Sequence, residues 1–377
     1  MKKKIYVLVY GRFPTEKAYG VHALNQAISF SELGYDVTLC YPKTNNEKTI
    51  KISPEEYYKK DIRFKLEEVP FLDITSNKFF VILPSIFKKF LWLARSLQWS
   101  FTLKNTISDS IVWSTNPVVL YIHRKTNHLI FEQHGQAKYI QRLFIYLLRK
   151  HNSIFVGTTK YSYVNLNKIK KKSILLPNAV NTDLFKPKNT SVASNLVVGY
   201  AGMLETYDVD KGVFKSVEAI LSLLKEINFN VVIIGGPKNK LNEIRKLVAK
   251  SKYKNNFTFK DRMSQSKLAD EISNFDIGLV PYPKNTHMNK FASPLKIFEY
   301  LASGVVCLAS DLESHTDIKF EGMNFFKNGD FNDFKKELKL LLSNPENLKE
   351  QKFLLAEQVD KLSINKRSEQ LINFLRP

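Results

Sequence analysis

IYVLVYGRFPTEKAYGVHALNQAISFSELGYDVTLCY, residues 5–41, reads as strand, helix, strand. The two end segments, IYVLVY at 5–10 and DVTLCY at 36–41, are short apolar runs bounded by polar or turn residues. Such runs suit strands buried on both faces of a parallel sheet. Between them Val21, Leu24, Ile28 and Leu33 recur at helical spacing, and Gly34 follows as a C-cap. Strand, helix and strand joined by short connections imply a right-handed βαβ unit.

The rhythm continues with IVWS at 111–114 and LIFE at 129–132, and it restarts after Pro177. LVVGY (196–200), NVVII (230–234), FTFK (257–260), IGLV (277–280) and VVCLA (305–309) read as strands. Helical stretches near 213–226, 239–251, 266–274 and 294–303 separate them. A chain of 377 residues exceeds one ordinary core, so two α/β domains are expected, joined near 175–195. In doubly wound folds ligands bind at the carboxyl ends of the strands, where the cleft between halves also falls.

Bulk properties narrow the setting. Lys and Arg number 57 against 36 Asp and Glu, a net charge of +21, which favours a polyanion, either nucleic acid or an anionic membrane surface. Lysines spread along the whole chain, so a plain composition bias accounts for the charge equally well. The start, Met1-Lys2-Lys3-Lys4, resembles a signal n-region, but the apolar run after it is shorter than the ~7–15 residues a signal peptide needs. No uncharged apolar run approaches the ~18 residues of a membrane span. Cys40 and Cys307 lie far apart in strand-like contexts, as buried thiols of a reducing compartment would.

The most informative segment of the second half is SPLKIFEYLASGVV, residues 293–306. Ser293 suits an N-cap, Pro294 the first helical position, and Gly304 the end of a helix of about three turns. Free backbone N–H groups at 294–296, the positive helix end and Lys296 would together favour a diphosphate. Leu295 belongs to that same helix start. Glu299, one turn further in, is placed to accept hydrogen bonds from two vicinal ribose hydroxyls. The alternative is an ordinary solvated glutamate, which the apolar neighbours Ile297, Phe298 and Leu301 argue against.

SPLKIFEYLASG, preceded by FDIGLVPYP at 275–283, resembles the signature of retaining glycosyltransferases of group 1, family 4, in an SPLK-type subgroup. VYGRFPTEKAYGVHALNQAISFSELGYDVTLCYP (9–42), FEQHG (131–135), LPNAVNTDLFKP (176–187) and VGYAGMLETYDVDKG (198–212) are similar to further family segments, in the family's order. The resemblance covers nearly the whole chain. It implies a GT-B fold, with two doubly wound Rossmann-like domains facing across a cleft. The expected domains are 1–175 on the acceptor side, 176–350 binding the nucleotide-sugar, and 351–377 as a C-terminal helix packing back on the first. The implied activity is transfer of a sugar from a nucleotide-sugar donor to a glycan or lipid-linked acceptor in bacterial surface polysaccharide synthesis. The implied location is cytoplasmic.

The same resemblance assigns roles. His134 is implied to contact the donor sugar or stabilise the reacting centre; read alone, a single histidine is as well explained by structure. Gly202 opens a loop in which Lys211 is implied to neutralise the diphosphate, while Met203 stands where an arginine is usual. Arg262 and Met263 follow FTFK, where backbone groups read the base edge. Family members often carry a first glutamate eight residues before Glu299; here that place is Phe291. At Gly20-Val21-His22 a helix start offers a second anion site; lining the loop before it is the alternative reading of His22. Same-face attack with the leaving diphosphate taking the acceptor proton is implied, with no cofactor. No metal is expected, since Asp208-Val209-Asp210 beside Lys211 reads as a solvated turn.

Residues 84–103 (PSIFKKFLWLARSLQWSFTL) form a separate helix. Ile86, Phe87, Phe90, Leu93, Ala94, Leu97 and Phe101 fall on one apolar face; Lys88, Lys89, Arg95 and Ser96 lie opposite, with Trp92 and Trp99 among them. Two readings stand. Tryptophans on a basic face suit an anionic lipid surface, or the helix is a core helix with both tryptophans half-buried. Competing functions are a GT-B-fold nucleotide-sugar epimerase and a basic nucleic-acid-binding protein. The latter leaves SPLKIFEY without a role.

Overall fold

Alternating burial builds the first sheet. In β1 (Lys4–Leu8) Ile5 and Val7 enter one core while Tyr6 and Leu8 enter another, because successive strand side chains point to opposite faces. The structure is a computed structural model describing residues 3–376 apart from 16, 45–48, 72–83, 105–106, 108, 189–194 and 207–208. The side chains of 85, 86, 88, 89, 206 and 209 are also outside the described set. The chain divides into two units, Met1–Pro177 with Arg367–Pro377, and Asn178–Lys366.

The first unit runs β1, α1 (Ala18–Glu32), β2 (Asp36–Pro42), α2 (Pro54–Tyr58), β3 (Lys65–Val69), α3 (Ser85–Leu103) and β4 (Ile111–Ser114). It continues through α4 (Pro117–Ile122), β5 (His128–Gln133), α5 (Tyr139–Leu148), β6 (Ser153–Gly157), α6 (Lys160–Ile169) and β7 (Ser173–Leu175). Its seven strands are all parallel, in the order β3-β2-β1-β4-β5-β6-β7. Side chains of α1 and α2 pack in the core on one sheet face, and those of α3, α4, α5 and α6 in the core on the other.

The second unit begins with β8 (Val197–Met203), a short hairpin of β9 (Glu205–Thr206) and β10 (Val209–Asp210), and α7 (Val213–Leu223). Next come β11 (Asn230–Gly236), α8 (Lys238–Ala249), β12 (Phe257–Asp261), α9 (Gln265–Ile272), β13 (Ile277–Val280) and α10 (Thr286–Lys290). Then follow α11 (Leu295–Ala302), β14 (Val306–Ser310), α12 (Glu313–Thr316), β15 (Met323–Phe326), α13 (Phe331–Leu342) and α14 (Pro345–Gln358). The sheet is again parallel, in the order β12-β11-β8-β13-β14-β15. The last helix, α15 (Ile364–Leu375), carries Leu371, Ile372 and Leu375 into the first unit's core. The segment expected as one C-terminal helix over 351–377 is therefore two helices, and only Arg367–Pro377 join the first unit.

Two thiols are buried and unpaired, Cys40 on β2 and Cys307 on β14. Among the described residues no helix is long and apolar enough to cross a membrane. Helix α3 sits the opposite way round from its periodicity. Trp99 is fully buried, and its ring meets Tyr10 edge-on at 6.1 Å. Trp92 is half-buried and meets the same ring at 6.0 Å. Phe87, Phe90 and Phe101, expected inside, face solvent, with Phe90 66% exposed. Ser96 and Ser100 explain the inversion. Their hydroxyls donate to Trp92 O at 2.9 Å and Ser96 O at 2.6 Å, so they enter the core without an unmet polar group. Being small, they let the helix approach the sheet. Trp99 therefore offers nothing to a lipid surface, and the side chains of Ile86, Lys88 and Lys89 lie outside the described residues.

A buried ion pair ties α14 into the second unit. Lys352 Nζ lies 2.9 Å from Asp276 Oδ1, and Asp276 Oδ2 accepts from Val197 N at 2.9 Å, at the start of the central strand. Lys352→Ala would leave that carboxylate buried without its counter-charge, an expected loss of about 3–5 kcal/mol. The loss is read as a lower urea midpoint for the second unit; an unmoved midpoint would show that the pair contributes no net stability.

Candidate active site

The second sheet reverses its winding between β8 and β13, the point where α/β sheets bind ligands beyond their carboxyl ends. Two glycines with positive φ shape the backbone there. Gly202 takes a φ of 144°, and a side chain on it would come within 2.9 Å of Lys296 Nζ. Gly212, with a φ of 81°, caps the start of α7 so close to Pro281 that a Cβ would sit 1.9 Å from the Pro281 carbonyl oxygen. Only glycine fits either place.

Two lysines enter this spot. Lys296 lies with its Nζ 3.6 Å from the centre of the Tyr200 ring and 5.2 Å from that of Tyr282. Lys211 holds its Nζ 4.5 Å from the Tyr282 ring and 3.7 Å from Met288 Sδ. The residues are only 7% and 5% exposed, and among the described residues neither forms an ion pair. The Lys296 ammonium has no hydrogen-bond partner there at all. Ring faces attract a cation but do not neutralise it. Burial, with Lys211 nearby, pushes Lys296 well below the ordinary lysine range, and burial lowers Lys211 to about 8. Two desolvated lysines with no carboxylate at ion-pair distance among the described residues make a site for an anion.

Glu299 is 9% exposed on the inward side of α11. Burial raises its carboxyl to about 7, and Lys296 only partly opposes that rise. It is not an ordinary solvated helix residue. Gly202, Lys211, Lys296 and Glu299 are thus brought together by side-chain packing and charge.

The helix start differs in detail. α11 begins at Leu295 with Pro294 as its N-cap, and Ser293 does not cap it. Ser293 Oγ accepts from Asn178 N at 3.1 Å, and Ser293 O accepts from Asn178 Nδ2 at 2.5 Å, pinning the segment that leads into the unit. Proline has no N–H, so the free donors of the first turn are Leu295 and Lys296, two groups in place of three. Gly304, with a φ of 72°, follows the C-cap Ser303 as expected. Arg262 and Met263 follow the carboxyl end of β12, with Arg262 exposed and Met263 packed against the core. Phe291 is buried where a glutamate was sought, and exposed Met203 offers no charge. Asp208 lies outside the described residues; Asp210 Oδ1 accepts from Gly212 N at 2.6 Å, shaping the turn.

In the first unit a single carboxylate organises the candidate residues. Glu132, at the end of β5 and fully buried, accepts through Oε1 from His22 Nε2, His134 Nε2 and Arg367 Nη2, each at 2.8 Å. Its Oε2 accepts from Trp113 Nε1 at 3.1 Å. Burial alone would push this carboxyl up, but Arg367, then His22 and the histidine hydrogen bonds, hold it well below the usual range. Burial lowers His22 to about 4, so at neutral pH its Nε2 is the donor and its Nδ1 is left without a partner. His134 is 31% exposed, and its bond to Glu132 fixes Nδ1 as the ring nitrogen turned away from the carboxylate.

The three ligand atoms of His22, Glu132 and His134 lie within 4.8 Å of one another, close enough for a metal ion. Arg367 already supplies the positive charge on the same carboxylate oxygen, so a cation would have to displace it. Gly20 has a packing role. It stands in the first turn of α1 with its N–H bonded to Lys17 O at 3.1 Å, and a side chain would collide with Thr15 and Tyr58.

Tyr200, Tyr282, Glu132, Trp113 and Arg367 carry the geometry without having been singled out from sequence. Glu132 alone had a signal, a carboxylate closing an otherwise apolar strand. Lys296→Met removes an unpaired buried charge while keeping the side chain's length. It should raise the melting temperature, or leave it unchanged, and weaken pyrophosphate binding at least about tenfold. Loss of stability would mean that the lysine has a counter-charge in the fold.

Residues 195–344 match the family model described as "Glycosyl transferases group 1". No curated protein matches the chain significantly by sequence. Solved structures match over their full length. A glycosyltransferase from Rickettsia africae aligns at 14% identity and a TM-score of 0.72, covering 99% of this chain and 98% of the other. Anabaena HepE in complex with UDP and glucose gives 11% and 0.68, covering 100% and 99%. The lipopolysaccharide outer core galactosyltransferase WaaB gives 15% and 0.68, covering 99% of each chain. The chain therefore has the two-unit α/β fold of GT-B glycosyltransferases, with a group 1 glycosyltransferase match across its second unit.

Proposed function

We propose that the chain is a retaining, metal-independent glycosyltransferase of the family 4, SPLK-type kind, which uses a nucleotide-sugar donor. The observation that carries this reading is the pair of buried lysines, Lys211 and Lys296, neither in an ion pair among the described residues, with the buried Glu299 near Lys296. A diphosphate supplies the missing negative charge, with Leu295 and Lys296 N–H groups adding donors. Glu299 takes the ribose hydroxyls. Backbone groups around Arg262 and Met263 are the proposed contacts to the base, and HepE with UDP makes UDP the first nucleotide to try.

In the proposed reaction the acceptor hydroxyl attacks the anomeric carbon on the face from which the diphosphate departs. The new glycosidic bond forms as the bond to the diphosphate oxygen breaks, and that departing oxygen takes the acceptor's proton. Charge grows on the leaving group, where Lys211 and Lys296 stabilise it, so neither metal nor cofactor is required. His134, oriented by Glu132, is assigned to the transferred sugar. The acceptor is a glycan or lipid-linked glycan of bacterial surface polysaccharide, handled on the cytoplasmic side. WaaB, a lipopolysaccharide galactosyltransferase of the same fold, supports that choice of acceptor class.

A thermal-shift panel of UDP-, GDP-, ADP- and CMP-sugars with an oligonucleotide control tests the donor reading. One nucleotide class should stabilise the protein and Glu299→Ala should abolish the shift. Salt-sensitive stabilisation by the oligonucleotide alone would overturn it, and donor consumption without any acceptor would make the protein an epimerase. Two of the site's titrating groups, Glu299 and Lys211, set the expected pH limbs. Glu299 is neutral below about 7 and cannot then accept from both hydroxyls, while Lys211 loses its charge above about 8. UDP affinity should therefore peak between those values. Glu299→Gln should flatten the acid limb only, whereas a flat profile in the parent protein would remove both groups from the site.

A further inference from the structure

Among the described residues, six of the thirteen exposed large hydrophobic side chains lie on just two helices of the first unit. Phe87, Phe90 and Phe101 share the outward side of α3, and Tyr139, Leu143 and Tyr146 share that of α5. Spacings of three, four, seven and eleven keep each set on one helical face. Both helices cover the same side of the first sheet, for Trp99 and Leu103 of α3 and Ile145 and Leu148 of α5 enter one core with Val119 and Leu120 of α4. Tyr139 is 85% exposed. Rings left in water to this extent are an interaction surface rather than spare core.

Charge identifies what the surface meets. Helices α3, α4 and α5 contain no aspartate or glutamate. Over residues 84–151 ten Lys and Arg face two acidic residues, Asp109 and Glu132, and Glu132 is fully buried on Arg367. Cations and rings are interleaved. The Arg149 guanidinium lies 3.8 Å from the Tyr146 ring centre, that of Arg142 5.9 Å from Tyr139, and Lys104 Nζ 5.6 Å from Phe101. Phenylalanine and leucine have no edge with which to read a base, and the rings stand on the outer faces of helices. Single strands are held in grooves. Apolar side chains with cations at their flanks match a layer of acyl chains beneath anionic headgroups.

We propose that the outward faces of α3 and α5 dock on an anionic lipid surface, with Phe87, Phe90, Phe101 and Leu143 entering the apolar boundary. Tyr139 and Tyr146 sit at headgroup level with Arg142 and Arg149 on the phosphates. The surface is not the tryptophan face read from the sequence, since Trp99 points the other way. It also needs no donor site, so its failure leaves the transferase reading intact.

Co-sedimentation of the full chain, without donor, tests it. The vesicles are phosphatidylcholine alone or mixed equally with phosphatidylglycerol. The mixed vesicles should bind the protein and release it at high salt, and phosphatidylcholine should bind it far less. Phe90→Ser with Tyr139→Ser, and separately Arg142→Glu with Arg149→Glu, should each weaken binding to mixed vesicles at least about tenfold. An unchanged melting temperature and circular-dichroism spectrum would show that both variants are folded. No binding by the parent protein, or binding that neither pair of substitutions alters, would overturn the proposal. Loss confined to binding of a single-stranded oligonucleotide would also overturn it, and assign the face to nucleic acid.

Discussion

Two lysine side chains are held at the end of the second sheet against aromatic faces, with no carboxylate in ion-pair contact among the described residues. Much of the unit's local geometry serves that arrangement. Gly202 gives up a side chain so that Lys296 can reach across β8, and Gly212 presses the following helix onto Pro281. Tyr200 on β8 and Tyr282 just beyond β13 are neighbours only because the sheet reverses its winding between those strands. Desolvated charge is expensive, and proteins retain it where a ligand completes it. The buried Lys352–Asp276 pair shows the contrast within the same unit, since there both charges are satisfied internally and nothing is left to bind.

Strands were legible where both faces are buried. IGLV at 277–280 coincides with β13, and the runs at 5–10, 36–41, 111–114 and 129–132 each found a parallel strand. KLEEV at 65–69 did not announce itself, because an edge strand carries charged residues that break the apolar run. PVVLYI is an apolar run that folds as a helix, and SIFVG, buried at every position, is a strand that no sequence feature singled out. In the site, Lys296 and Glu299 were legible because they lie in the first turns of a helix, whereas Lys211 came only through the family resemblance. The lysines' aromatic seats and the partners of Glu132 were not legible, since residues 22, 113, 132 and 367 meet only through tertiary packing.

Helix α3 shows a different limit. Periodicity says which residues share a face and leaves open which face turns inward. Counting apolar residues favoured the phenylalanine side. The structure buries the side with two tryptophans and two serines, because a hydroxyl that bonds its own helix costs little in a core and takes little room. The phenylalanines were left outside by that choice, and their exposure became the informative feature.

The clamp of Arg367 on Glu132 has a consequence for the order of synthesis. The second unit is threaded into the first as an insertion, because residues 367–377 return to a body begun at the other end of the chain. A nascent chain can complete the parallel sheet of 178–366 while the first unit still lacks its last helix. Until then Glu132 is buried beside two histidines and a tryptophan without its strongest counter-charge. The part of the molecule translated first is thus the part finished last, and a ribosome that stalls before Arg367 would release a sound second unit attached to an unlatched first one.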